Sequence, residues 1–197
     1  MGLNSVTAEA IRSVHPKSPV LFLGFPENLK ALIDIWPDMD MEFACCDIKA
    51  HEGYEYVADL NYPDALKDVI ADIGQVDLVV DHGTMEHCFN PGLALLNAAS
   101  AVKLGGHIIS GVPLNMFNHG FYNINPTVFV DFYEANGFEI KRLEIYDNNS
   151  CAPIIIPRGL DIKRGQGWLF ESLVFILCVA QRVVERPLVY PLQKVYS

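Results

Sequence analysis

The sequence has few basic residues, and its cysteines form no paired motif. Lys and Arg total 14 against 24 Asp and Glu, which gives a formal net charge of −10. A field of this sign repels phosphate backbones and argues against nucleic acid as a partner. The five cysteines, at positions 45, 46, 88, 151 and 178, are odd in number and include no C-x-x-C spacing. This usage argues against a disulfide framework and favours a reducing, cytoplasmic setting.

Long apolar runs, export signals, repeats and linkers are also missing. The longest unbroken apolar run, 173–180, has eight residues, whereas a bilayer-spanning helix needs roughly 18. The start of the chain lacks the apolar segment of a signal peptide, and Val6 stands where myristoylation requires Ser or Thr. With 51% hydrophobic residues in a chain of 197, we expect one folded domain over 1–197 and no membrane partner. Within it we expect a leading helix in 1–17, an insertion at 147–168 and a C-terminal tail at 184–197.

Short apolar segments alternate with segments of helical spacing along most of the chain. The predicted strands are 19–24, 41–48, 54–58, 76–80, 107–112 and 138–146, and the predicted helices are 6–14, 29–36, 62–73, 91–102 and 126–136. Gly105-Gly106 is expected to close the fourth of these helices. The segment 169–183 is ambiguous, but its β-branched and aromatic residues favour a strand. Such alternation predicts an α/β fold with a doubly wound, parallel sheet that ends in an antiparallel strand.

Acidic residues follow two of the predicted strands at the edge where such sheets bind ligands. The first strand ends at Gly24 and the second at Asp47, close to the spacing at which a carboxylate accepts hydrogen bonds from a ribose. The third ends at Asp59-Leu60, where the acid would accept the adenine amino group and the Leu60 backbone would meet the ring edge. The alternative is that both acids are solvated or cap helices. Together they predict an adenosine-containing ligand.

Three segments in order resemble the class I S-adenosylmethionine-dependent methyltransferases over about 18–183. They are Val76–Val80 leading to Met85-Glu86-His87, the turn Leu104–His107, and Pro126–Phe129 followed by Asn136–Glu139. The resemblance implies a Rossmann-like, mostly parallel seven-stranded sheet with a C-terminal antiparallel hairpin. It also implies S-adenosylmethionine at the ends of the first four strands. The residues that would contact this cofactor are Gly24, Phe25, Asp47, Ile48, Asp59, Leu60, His82 and Gly83.

The expected cofactor loop departs from the family pattern. Where that pattern is G-x-G-x-G, the chain has Gly24-Phe25-Pro26-Glu27-Asn28 and keeps only the first glycine. Pro26 fixes φ and removes an N–H, and Glu27 adds negative charge near a ligand that carries a carboxylate. Two functions therefore stay open: an active methyltransferase, and an inactive descendant that serves as a binding or scaffold protein. A nicotinamide-dependent oxidoreductase would need phosphate-binding glycines that this loop lacks.

The acceptor side of the site is expected in the loop after the fifth strand. His119 in this loop is the predicted general base, the alternative being a loop histidine bonded to backbone. We expect Asn115, Tyr122 and His87 to contact the acceptor. The resemblance implies methyl transfer to an oxygen or nitrogen of a small-molecule or sugar-type acceptor. We also expect that the protein can form a homodimer.

Glu86-His87 can be an acid–base pair, metal ligands, or a helix-entry carboxylate beside a packed imidazole. The pair resembles that of ubiquinone-biosynthesis O-methyltransferases, in which a Glu three residues earlier helps to hold a divalent metal. That position is Gly83 in this chain. The sequence therefore predicts no metal.

Overall fold

A computed structural model of the protein describes residues 3–17, 19–24, 42–50, 56–154 and 170–196. The predicted helix over 29–36, the cofactor-loop residues 25–28 and most of the predicted insertion at 147–168 lie outside these ranges.

The described strands form one seven-stranded mixed sheet. They are β1 (Val20–Leu23), β2 (Phe43–Asp47), β3 (Tyr56–Val57), β4 (Val76–His82), β5 (Val102–Pro113), β6 (Phe138–Asp147) and β7 (Val174–Arg182). The strand order is β3-β2-β1-β4-β5-β7-β6. Neighbours among the first five pair in parallel, and β7 lies antiparallel between β5 and β6. The predicted Rossmann-like sheet with a C-terminal hairpin is confirmed, and the ambiguous segment is a strand.

Four α-helices are described: α1 (Ser5–Ser13), α2 (Lys67–Ile73), α3 (Pro91–Ala101) and α4 (Pro126–Ala135). Asn4, Asn90 and Asn125 cap α1, α3 and α4, because each amide oxygen accepts a hydrogen bond from a first-turn N–H. In the part of the chain that the structure describes, no helix combines the length and the apolarity that a bilayer crossing would require.

Helix α2 begins five residues later than the predicted 62–73. Asp64 has a φ of +54°, which a right-handed helix does not accommodate. Pro63 also disfavours the helical region for the residue before it. The chain therefore turns between positions 60 and 66 and becomes helical only at Lys67.

The predicted closure of a helix by Gly105-Gly106 is wrong. Helix α3 ends at Ala101 and β5 begins at once, so both glycines lie within the strand. Val76 pairs with Val102 and Leu78 with His107, so the glycines belong to an irregularity in the β4–β5 ladder. A Cβ on Gly106 would lie 2.8 Å from the backbone oxygen of Asp77. The glycine pair thus allows close backbone approach at a bulge.

Apolar side chains cover both faces of the sheet. On one face α1 buries Ala10 and Ile11 against strand residues such as Phe22. On the other face α2, α3 and α4 bury residues such as Val69, Leu95, Ala98, Phe129 and Phe132. Strand β1 is therefore buried at every position, as expected for a central parallel strand covered on both sides.

Candidate active site

The strand order reverses between β1 and β4, and a cavity of about 300 Å³ opens at the carboxyl ends of these strands. Four successive strand ends contribute to it. Its lining consists of Leu3, Phe22, Leu23, Gly24, Cys46, Asp47, Ile48, Ala58, Asp59, Leu60, Asn61, Val80, His82, Gly83, Thr84, His87 and Cys88. We call it the first cavity. Such a reversal point is where open α/β sheets bind their ligands.

Most of the predicted cofactor residues meet in the first cavity. Gly24, Asp47, Ile48, Asp59, Leu60, His82 and Gly83 all line it. Phe25, the remaining predicted contact, lies outside the described residues. His87, predicted on the acceptor side, also lines this cavity.

Gly24 is required by the protein's own packing. Its φ is +76°, and a Cβ would lie 2.3 Å from Oγ1 of Thr84. That hydroxyl donates a hydrogen bond of 2.7 Å to the backbone oxygen of Leu23. Thr84 therefore fastens the end of β1 to the segment that follows β4, and only glycine fits beneath it.

The two strand-end acids both stabilise their own turns. Oδ1 of Asp47 accepts a hydrogen bond of 3.1 Å from the Lys49 N–H. Oδ1 of Asp59 accepts bonds from the backbone N–H of Asn61 at 2.9 Å and from its side-chain amide at 2.7 Å. No described residue bonds to Oδ2 of Asp59. The turn-stabilising role of Asp59 thus occupies only one of its two carboxylate oxygens.

A second cavity of about 500 Å³ adjoins the first. It is lined by Asn4, His82, Met116, Phe117, Asn118, His119, Asn148 and Leu173. His82 lines both cavities. A group bound in one cavity would therefore approach a group bound in the other at His82.

The His82 imidazole is held on three sides. Its Nδ1 lies 3.0 Å from Oγ1 of Thr7 on α1, and its ring meets the Phe175 ring edge-on. A Cβ on Gly111 would lie 2.2 Å from Nδ1. Burial lowers the pKa of His82 to about 4, so the ring is neutral at pH 7. Sequence reasoning placed His82 at this edge but missed Thr7, because no local pattern joins residues 75 positions apart.

Glu86 is the most enclosed polar residue near the cavities. It lies in a short 3₁₀ turn, Met85–His87, and its side chain has no solvent exposure. Oδ1 of Asp81 accepts from the N–H groups of Thr84 at 3.2 Å and Met85 at 3.3 Å, which fixes the start of this turn. Burial, and to a lesser extent the charge of Asp81, raise the pKa of Glu86 to about 8.

Two imidazoles face the Glu86 carboxyl group. Its Oε1 lies 3.3 Å from Nε2 of His119 and 3.9 Å from Nε2 of His87. Neither contact is aligned as a hydrogen bond, and neither Glu86 oxygen has another hydrogen-bond partner among the described residues. Burial lowers the pKa of His87, and His119 lowers it further. The structure thus brings together His119, His87 and Glu86 from two separate segments.

The other two predicted acceptor contacts bond to backbone. Asn115 donates to the Ser172 carbonyl at 2.8 Å and accepts from the Val174 N–H at 2.7 Å, which ties the loop after β5 to the start of β7. The Tyr122 hydroxyl donates to the Phe89 carbonyl at 3.1 Å. Neither residue is among the described lining of the two cavities. Their contact with an acceptor stays a prediction.

No protein-family model matches the chain, and no curated protein matches it by sequence. Solved structures do share its fold. An S-adenosylmethionine-dependent methyltransferase from Anabaena variabilis aligns with a TM-score of 0.60 at 12% identity, over 90% of this chain and 84% of its own. A Bacillus halodurans protein provisionally named a methyltransferase aligns with a TM-score of 0.58 at 12% identity, over 91% of this chain and 98% of its own.

A third similar structure contains two bound molecules. It is the 1,6-didemethyltoxoflavin-N1-methyltransferase of Burkholderia thailandensis, with 1,6-didemethyltoxoflavin and S-adenosylhomocysteine bound. It aligns with a TM-score of 0.55 at 10% identity, over 90% of this chain and 77% of its own. The sheet order, the C-terminal hairpin and these alignments agree: this chain has the class I S-adenosylmethionine-dependent methyltransferase fold.

Proposed function

We propose that this protein transfers a methyl group from S-adenosylmethionine to an oxygen or nitrogen of a small-molecule or sugar-type acceptor. One observation carries the proposal: four strand ends and two strand-end carboxylates converge on one cavity at the topological reversal of the sheet. Fold alone does not define function, so the argument depends on whether these residues suit the cofactor.

The residues of the first cavity suit an adenosine-containing cofactor. In this proposal Asp47 accepts hydrogen bonds from the ribose hydroxyls, and Asp59 with the Leu60 backbone meets the adenine edge. Gly24 and Gly83 leave room for the methionine portion. When bound, the cofactor supplies an electrophilic methyl group on a sulfonium. The chain's own residues would hold its nucleoside, and His82 lies at the wall that the first cavity shares with the second.

The second cavity is the proposed acceptor site. It shares the wall formed by His82 with the first cavity, so an acceptor bound there would lie beside a cofactor bound in the first cavity. Positioning of two reactants in this way supplies most of the acceleration that such a transfer needs. His119 lines this cavity and is the proposed proton acceptor.

Titration calorimetry with S-adenosylhomocysteine and S-adenosylmethionine tests the proposal. We expect saturable binding of both with one site per chain, followed by transfer of a labelled methyl group to a member of a panel of hydroxyl- and amine-bearing small molecules. Binding without transfer to any acceptor in the panel would favour the binding or scaffold alternative. Absence of binding to either compound would refute the proposed function.

A further inference from the structure

No aligned hydrogen bond from the described residues accounts for the burial of the Glu86 carboxyl group. Its side chain is 0% exposed, and both oxygens are buried without a hydrogen bond among the described residues. The Nε2 atom of His119 is also buried without a hydrogen bond among the described residues. Buried polar atoms without partners are costly, and they are rare in folded proteins. A pair of them facing each other indicates a ligand between them.

The spacing of the nearby donor atoms fits a metal ion. One carboxylate oxygen of Glu86 and one ring nitrogen each of His87 and His119 all lie within 4.8 Å of one another. Bonds of about 2.0–2.2 Å to a tetrahedral ion place neighbouring ligand atoms roughly 3.3–3.5 Å apart. Glu86 Oε1 lies 3.3 Å from Nε2 of His119. The same oxygen lies 3.9 Å from Nε2 of His87. A small rotation of the half-exposed His87 ring would complete the set.

We propose that Glu86, His87 and His119 bind one divalent transition-metal ion of the zinc class. Two imidazoles and one carboxylate suit zinc, cobalt and iron better than they suit magnesium or calcium, which prefer oxygen ligands. The side chains of His87 and His119 are 49% and 26% exposed, so an ion can enter from their side. The buried carboxylate would supply the negative charge beneath it.

Loop geometry holds the third ligand in place. The N–H of Phe121 donates to the Glu86 carbonyl at 2.9 Å, and a Cβ on Gly120 would lie 2.8 Å from that carbonyl oxygen. The loop after β5 therefore packs directly on the turn that carries Glu86 and His87. The sequence predicts no metal because Gly83 stands where a carboxylate is expected, whereas the third ligand proposed here, His119, comes from a distant loop.

The site lies where the two cavities meet, because His87 lines the first and His119 lines the second. If the proposed methyl transfer is correct, on which this extension rests, an open coordination position would accept the acceptor's hydroxyl oxygen and lower the pKa of that hydroxyl, so that its proton passes to water. The resulting oxyanion would then form the bond to the methyl carbon as the bond from that carbon to the sulfonium breaks. The same Nε2 of His119 cannot be a metal ligand and a free base at once. Metal binding therefore replaces the predicted base by a Lewis acid.

Metal titration of the full-length, chelator-treated protein tests the proposal without an acceptor. We expect saturable binding of Zn²⁺ with one ion per chain by calorimetry, and an absorption spectrum of a nitrogen-ligated, low-symmetry site with Co²⁺. His87→Ala, His119→Ala and Glu86→Gln should each weaken Zn²⁺ binding at least about 100-fold, since even outer-sphere partners cost about 10–100-fold. His15→Ala, at an exposed histidine elsewhere, is the matched control and should leave binding unchanged.

Circular dichroism and thermal denaturation of each variant show whether it is folded, and S-adenosylhomocysteine titration of the wild type tests the proposed function separately. Zn²⁺ binding that is absent in the wild type, or unaffected in folded His87→Ala and His119→Ala variants, overturns the metal site. If the metal site is overturned but the metal-free wild type binds S-adenosylhomocysteine, the proposed function is still supported. Zn²⁺ binding without binding of the nucleoside supports the metal site and contradicts the proposed function.

Discussion

The imidazole of His82 joins the two cavities, and its burial makes folding sensitive to acid. Burial lowers its pKa from 6.5 to about 4, so the unfolded chain binds this proton more readily than the folded one between those pH values. The His82 contribution to stability is therefore lost as the pH falls from about 6.5 to about 4. A shift of this size corresponds to at most about 3 kcal/mol of unfolding free energy.

We predict that His82→Gln removes this acid-sensitive component. The difference in unfolding free energy between wild type and variant should change by up to about 3 kcal/mol between pH 7 and pH 4, in the direction that favours the variant at low pH. Urea denaturation at a series of pH values measures it. His15→Gln, which changes an exposed ring, should give a curve parallel to that of the wild type. Parallel curves for His82→Gln as well would contradict the buried, neutral ring.

Asp47 is the residue on which the nucleoside assignment most depends. We predict that Asp47→Ala lowers the affinity for S-adenosylhomocysteine by about 1.5–3 kcal/mol, the value of charge-assisted hydrogen bonds to a ribose. Calorimetric titration measures the loss. Asp68→Ala removes an exposed carboxylate from the first turn of α2 and should leave the affinity unchanged. Equal affinities for all three proteins would remove Asp47 from the cofactor site.

At the scale of elements, the contact between Gly24 and Thr84 joins the end of β1 to the segment after β4. An Ala at position 24 would meet two penalties: a positive φ of +76° and a Cβ only 2.3 Å from Oγ1 of Thr84. Gly74 has a similar φ of +75° but nothing within 4 Å of an added Cβ. A comparison of Ala substitutions at the two positions therefore separates the cost of a positive φ from the cost of the contact with Thr84.

We predict that Gly74→Ala lowers the unfolding free energy by about 1–3 kcal/mol, because a φ of +75° with a ψ of −176° is a conformation essentially restricted to glycine, and that Gly24→Ala lowers it further. Thermal or urea denaturation measures both. The excess cost of Gly24→Ala should shrink in a Thr84→Ala background, where the obstructing hydroxyl is gone. A cost for Gly24→Ala no larger than that for Gly74→Ala would contradict the packing argument.

Helix α1 supplies Thr7 to His82, so its stability bears on the site. The Asn4 side chain caps it by accepting the Thr7 N–H at 2.9 Å. We predict that Asn4→Ala lowers the unfolding free energy by about 1 kcal/mol and that Asn4→Asp restores most of it. Ser5→Ala, at an exposed first-turn position, is the control for denaturation. An Asn4→Ala variant as stable as Ser5→Ala would show that the cap contributes nothing.

The helices and strands could be predicted from the sequence where local residue chemistry determines them. The position of the site could be predicted because the topology of the sheet determines it. Buried strands such as Val20–Leu23 stand out as apolar runs between breakers, and parallel strand ends necessarily share one edge. The late start of α2 depends on the positive φ of Asp64, which Asp adopts only in some contexts. The contacts of Thr7 with His82 and of Glu86 with His119 join distant segments, and no pattern within either segment specifies them.

At the scale of the whole molecule, the negative charge of the protein is expected to disfavour dinucleotides, which carry a pyrophosphate, relative to nucleosides. The chain carries a net charge of −10, and the sequence after Gly24 offers neither a glycine-rich pyrophosphate cradle nor a basic substitute. We predict that NAD(H) at millimolar concentration does not bind. Nicotinamide fluorescence in a titration measures this, with S-adenosylhomocysteine as the positive ligand. Saturable NADH binding would contradict both the charge argument and the proposed cofactor.

The order of the strands also determines which edges of the sheet are open to pairing with another chain. The described sheet ends in β3, which has two residues, and in β6, which has ten. A long open edge invites pairing with another chain. Strand β6 has a register irregularity between Ile140 and Arg142, and a Lys141–Glu139 ion pair of 2.6 Å lies on it. The segment around Pro153 folds back and bridges to Tyr146 at its end. An edge that is bent, charged and partly covered is a poor template for strand addition, so sheet-to-sheet fibre growth is disfavoured and any dimer is expected to form through another surface.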